Sequence, residues 1–148
     1  MTLEILGRLG AAAGCGTLLG LHVGLRKRPG GVRTHMMTTL GAALFCITAE
    51  SVAGHDAGAA LRVVQGVASG VGFIGGSVVL QRGASVQGLA TGASLWIAAA
   101  IGCAAGFGKI VTALVCATFV AVIETATFYM ERAYLAAGTA LHEQDERT

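Results

Sequence analysis

Residues 62–108 read RVVQGVASGVGFIGGSVVLQRGASVQGLATGASLWIAAAIGCAAGFG, a run in which only Arg62 and Arg82 are charged and glycine and alanine recur every few positions. Such a segment offers water too little polar surface to fold as a soluble domain, so it belongs in lipid. The rest of the chain agrees. Of 148 residues, 54% are hydrophobic and 12% charged, with 23 glycines and one proline, where soluble domains carry about 25% charge. Mean hydropathy is +0.71. At about 20 residues per crossing, the length holds about five transmembrane helices.

Charges divide the apolar sequence into spans expected at Leu3 to Leu25, Val32 to Ala53, Leu61 to Leu80, Val86 to Phe107 and Ile110 to Met130. The fold class is therefore an all-α integral membrane helical bundle. Residues 1–140 form the transmembrane domain and residues 141–148 a polar C-terminal tail, with no extramembrane domain expected. The basic cluster Arg26, Lys27, Arg28 and Arg33 separates the first two spans, and the positive-inside rule assigns that loop to the cytoplasm. Arg82, Arg132 and Arg147 then fall inside, Arg62 and Lys109 outside. This predicts an outside N-terminus and a cytoplasmic C-terminus.

Ala12, Ala13, Gly14 and Cys15 imitate a lipoprotein cleavage box, but Glu4 and Arg8 interrupt the preceding segment and the apolar run continues past Cys15, so the first span is expected to be retained. Glu4 and Arg8 stand four apart, a spacing that lets them pair on one helix. The cysteines at 15, 46, 103 and 116 lack C-x-x-C spacing and read as small hydrophobes. His22 and His35 have no second ligand at helical spacing, so they read as packing or solvated side chains. No metal site and no cofactor are expected.

Small residues recur four apart: Gly10 with Gly14; Gly16, Gly20 and Gly24; Gly72 with Gly76; Gly88 with Gly92; and Gly102 with Gly106. In lipid, close backbone approach supplies much of the packing energy. The grooves hold one chain's bundle together, and the ladder on span one offers a homodimer seam. Span three holds Gly66, Gly70, Gly72, Gly75 and Gly76; it reads either as a thin, tightly packed helix or as one broken to line a polar cavity.

Intramembrane charges are functional candidates because each costs a few kcal/mol unless paired or hydrated. Glu50 lies near the outer end of span two and Glu124 well inside span five. Glu50 could pair with Arg62, while Asp56 and Lys109 lie near the same surface. Glu50, Arg62 and Glu124 are the candidates for an ion path or a buried charge. No nucleotide-binding loop or nucleophile with a base appears, so no enzyme is expected.

Several ordered motifs carry a resemblance. RPGGVRTHM (Arg28 to Met36, with Pro29, Arg33, Thr34 and His35) is similar to RPAGLRTH, and LGAALF follows from Leu40. Arg62 stands eleven residues before Phe73. SGVGFIGG, with Gly70, Gly72, Phe73 and Gly75, is similar to SGIGFLGAG. Arg82 and the block from Ser85 to Gly106, with Gly88, Leu89, Thr91 and Trp96, resemble SVRGLTTAASLWVVAAIG. Together these resemble the transmembrane domain of the MgtC/SapB family of bacterial inner-membrane proteins.

The chain departs from that family where GLERE becomes Gly20, Leu21, His22, Val23 and Gly24. An expected aspartate is Ala59 and an expected glutamine is Gly66. Longer members also carry a cytoplasmic C-terminal domain. The resemblance implies a multi-pass protein of the inner membrane with a role in magnesium or ion homeostasis. Two functional readings follow: an interaction protein, a dimer or a subunit beside partner membrane proteins, and a cation or small-solute transporter. Membrane lipid is an expected partner, through Arg26, Lys27, Arg28 and Arg33; nucleic acid is not.

Overall fold

The computed structural model describes residues 2–25, 30–54, 56–82 and 85–145. Over these the chain forms five helices and a small ribbon: α1 (Thr2–Leu25), α2 (Val32–Ala53), α3 (Ala57–Ser77), β1 (Leu80–Arg82), β2 (Ser85–Gln87), α4 (Leu89–Gly106) and α5 (Ile110–Asp145). No helix contains a proline, and in lipid a helix satisfies its own backbone groups. Four described helices are long and apolar enough to cross a membrane: α2, α3, α4 and the Ile110–Tyr134 part of α5. Helix α1 has 24 residues, about 36 Å at 1.5 Å per residue, but Glu4, Arg8, His22 and its glycines lower its apolarity.

Helix α4 is the hub, packing against all four other helices. Its small residues make this geometry available. Ala98, Ile101 and Ala105 share one apolar cluster with Ala12, Cys15 and Leu19 of α1, Ala43 of α2, and Ala113 and Ala117 of α5. Ala99 and Cys103, on another face, pack with Ala42 and Cys46 of α2 and Val71 of α3. Three of the four cysteines are thus buried core residues and Cys116 is exposed.

Glycine sets the spacing at particular crossings. A Cβ on Gly16 would lie 2.7 Å from Met36 Cα, and one on Gly20 2.9 Å from Val32 N, so α1 and α2 meet backbone to backbone. Between α2 and α4, a Cβ on Gly106 would lie 2.6 Å from the Ala43 carbonyl oxygen, and one on Gly102 2.8 Å from Thr39 Cα. Gly75 and Gly92 bring α3 onto α4 in the same way.

The small-residue reading holds at some positions and needs correction at others. Gly16 and Gly20 are used within the chain, against α2, the first of the two uses expected of this ladder. Gly24 lies beside Gly31, whose added Cβ would stand 3.4 Å from Gly24 Cα, whereas a Cβ on Gly72 or Gly76 would meet nothing within 4 Å. In span three the packing glycine is Gly75.

The expected third span also shifts. Helix α3 is continuous from Ala57 to Ser77, with no break at its glycines, and it begins earlier than Leu61 because Asp56 caps it, its side chain accepting from the Gly58 N–H at 2.8 Å. Between α3 and α4 the chain pairs Leu80 with Gln87, Gln81 with Val86 and Arg82 with Ser85. Gly88 then turns into α4 at φ 92°, a left-handed conformation that suits glycine. At the far end, α5 continues beyond Met130 to Asp145, and these 36 residues reach about 54 Å, well past a hydrocarbon core of about 30 Å.

Candidate functional site

Successive helices run antiparallel, so polar groups gather at two ends of the bundle. One end is organised by Arg8. Its Nη2 donates to Glu4 Oε1 at 2.6 Å, and its Nη1 donates to Glu50 Oε2 and to the Gly106 carbonyl at 3.0 Å. One guanidinium therefore ties α1 to α2 and to the end of α4. Gly108, at φ 74°, leaves room for it: a Cβ there would lie 3.3 Å from Arg8 Cζ. The Arg8 side chain is 14% exposed and that of Glu50 32%.

The Glu4 and Arg8 pair is as expected, but the partner of Glu50 is Arg8 rather than Arg62. Arg62 instead faces Asp56 at 3.8 Å, with side chains 72% and 58% exposed. The reason is geometric: α3 starts its climb beside the exposed Asp56 cap, whereas Arg8 enters between α1, α2 and α4. This cluster reads as a lock between helices.

The opposite end holds a polar pocket of about 100 Å³ between α1, α4 and α5, lined by His22, Thr91, Ser94, Glu124, Thr127 and Glu131. It has room for a few waters. Glu124, the most deeply placed carboxylate of the sequence reading, is half-buried there. His22 Nδ1 lies 3.2 Å from Thr125 Oγ1, which donates its own proton to the Ala121 carbonyl at 2.7 Å. The hydroxyl thus accepts from His22 Nδ1–H. That Nε2 is buried and has no hydrogen-bond partner among the described residues.

Behind the pocket wall, His35 is fully buried. Its Nε2 lies 3.0 Å from Ser94 Oγ and its Nδ1 3.2 Å from the Gly31 carbonyl. A carbonyl can only accept, so Nδ1 carries a proton; in a neutral ring Ser94 then donates to Nε2. His35 thus joins the start of α2 to α4. Two carboxylates, an imidazole and several hydroxyls can hold water, a proton or a hydrated cation. Among the described residues, His, Cys, Asp and Glu form no group of three or more placed to hold a metal ion.

Other motif residues divide into structural and exposed. Thr91 is buried, Gly75 and Gly88 sit at close backbone contacts, and Arg33, Gly70, Phe73, Leu89 and Trp96 are exposed. Thr34 is half-buried, its carbonyl accepting from Thr38 Oγ1 at 2.9 Å. Arg82 lies on β1; Arg26, Lys27, Arg28 and Pro29 lie outside the described residues. Sequence reasoning found Glu124 and missed its companions His22 and Glu131, because a pocket assembled from three helices leaves no local spacing to read.

A model of the MgtC family matches residues 9–133. The chain is 36% identical over 104 residues to Protein MgtC of Salmonella typhimurium, covering 70% of this chain and 44% of that protein. It is 36% identical over 105 residues to Protein MgtC of Brucella abortus, covering 71% and 43%. To an uncharacterized Synechocystis protein it is 40% identical over 105 residues, covering 71% and 44%. The chain therefore spans less than half the length of these curated relatives. No solved structure matches it.

Proposed function

The chain belongs to the MgtC family, and from that premise we propose that it serves magnesium or ion homeostasis in a bacterial inner membrane by binding membrane helices, its own or a partner's. The observation that carries the reading is the filling of the space between the two polar clusters. The Arg8 lock and the His22 pocket are separated by close-packed Ala12, Cys15, Leu19, Ala98, Ile101 and Ala105. Meanwhile α3 and α5 present large apolar residues outward, among them Phe73, Phe119 and Tyr134. On α1, Gly7, Gly10 and Gly14 are spaced to share a face, and a Cβ on any of them meets nothing within 4 Å, which suits close approach of another helix.

In this reading the Arg33 end faces the cytoplasm and the Arg8 end the outside, as the basic first loop favours. A cation path is the second reading, favoured by the carboxylates and the imidazole that line the polar pocket.

The two readings separate in proteoliposomes loaded with a magnesium-sensitive dye. The interaction reading expects influx no faster than in empty liposomes; protein-dependent influx abolished by Glu124→Gln establishes the cation path instead. Self-association is tested by crosslinking in membranes, where Gly10→Leu should weaken the dimer. Gly20→Leu is unsuited to that purpose because its side chain would collide with Val32 of its own chain.

A further inference from the structure

Between α2 and α3 runs an apolar groove of about 520 Å³ whose wall includes Gly41, Gly66 and Gly70, with Phe45, Val67 and Ile74 beside them. Its volume falls in the range of about 300–1,000 Å³ typical of sites for small organic ligands. A second cavity of about 340 Å³ shares Met37, Thr38 and Ile74 with the groove and adds Arg33 and Thr34. The two form one slot, apolar along its length and cationic at its mouth. Phe45 is 66% exposed and Ile74 41%, so the slot opens sideways, toward the lipid of a membrane-embedded bundle.

We propose that this slot binds one anionic phospholipid, an acyl chain lying against Gly41, Gly66 and Gly70 and the phosphate at Arg33. Charge and polarity argue for that occupant. In a bilayer the groove is filled by hydrocarbon, and the chain alone gains little because lipid tails are as apolar as the groove. Selectivity must come from the mouth. There Arg33 is exposed and α2 begins without a side-chain cap, so the helix terminus adds to the field that attracts an anion.

The test is native mass spectrometry of the full chain in detergent, titrated with phosphatidylglycerol or phosphatidylcholine carrying the same acyl chains. Phosphatidylglycerol should bind more tightly. Arg33→Gln should weaken it about fivefold, as for loss of one cationic contact, and weaken phosphatidylcholine less, because its trimethylammonium offsets the phosphate charge. Gly66→Leu should weaken both lipids; a Cβ at Gly66 meets nothing within 4 Å, and thermal unfolding checks that the variant folds. Equal binding of the two lipids by the native chain, or phosphatidylglycerol binding insensitive to Arg33→Gln, overturns the proposal. So does crosslinking between Gly70→Cys copies that added phosphatidylglycerol cannot displace, because a second chain would then fill the slot.

Discussion

Replacing Arg8 by Gln leaves Glu50 without its cationic partner and frees the Gly106 carbonyl. Breaking a buried ion pair costs about 3–5 kcal/mol, but Glu50 retains 32% exposure, so hydration recovers part of that and roughly 2–3 kcal/mol remains. The Glu4 contact adds little, because its side chain is 61% exposed and such pairs contribute about 0–1 kcal/mol. A double-mutant cycle isolates the pair: Arg8→Gln, Glu50→Gln and the double variant, unfolded reversibly by SDS in bicelles and followed by circular dichroism. The cycle should return a coupling of about 1–3 kcal/mol. A parallel Arg62→Gln and Glu50→Gln cycle should return about zero, and the exposed Arg62 and Asp56 pair no more than about 0.5 kcal/mol. A Glu50 coupling to Arg62 larger than its coupling to Arg8 would refute the assignment.

Gly106→Ala should destabilise the bundle by about 1–3 kcal/mol through overpacking, because its Cβ would press on Ala43. Gly72→Ala, with open space around it, should stay within about 0.5 kcal/mol of the native chain; the same unfolding assay compares them. Ser94→Ala should cost about 1–3 kcal/mol by leaving the buried His35 Nε2 unsatisfied, and Ser94→Thr, which keeps a hydroxyl, should recover part of that. Gly88→Ala should also destabilise, read as a lowered melting temperature, since it combines a positive φ with a collision at Val78.

The helices were legible because lipid permits few alternatives. Val32–Ala53 stands at its expected bounds, set by the basic loop on one side and Gly54, at φ 61°, on the other. Rotation about each helix axis was much less legible. In water a polar stripe marks the outward face, but here Phe73 faces out and Leu95 faces in, and both are apolar. The inside of the bundle and the lipid therefore ask for the same residues. This is why Gly72 and Gly75, three positions apart, could not be sorted into open and packed.

The pairings that matter were also long-range, 42 positions between Arg8 and Glu50 and 59 between His35 and Ser94. Helical spacing supplies neighbours three or four apart and is silent on these. The ribbon at Leu80–Gln87 escaped because Val78, Val79 and Leu80 read as the continuation of a span, while the backbone turns at the end of α3.

Sidedness across α4 tests the account most directly. In a chain cleared of its native cysteines, Lys109→Cys and Gln87→Cys place exposed thiols beyond the two ends of this 18-residue helix. A membrane-impermeant maleimide applied to intact cells stripped of their outer membrane should label position 109 at once and position 87 only after permeabilisation. Labelling of both positions from the same side would contradict a bundle whose central helix crosses the membrane.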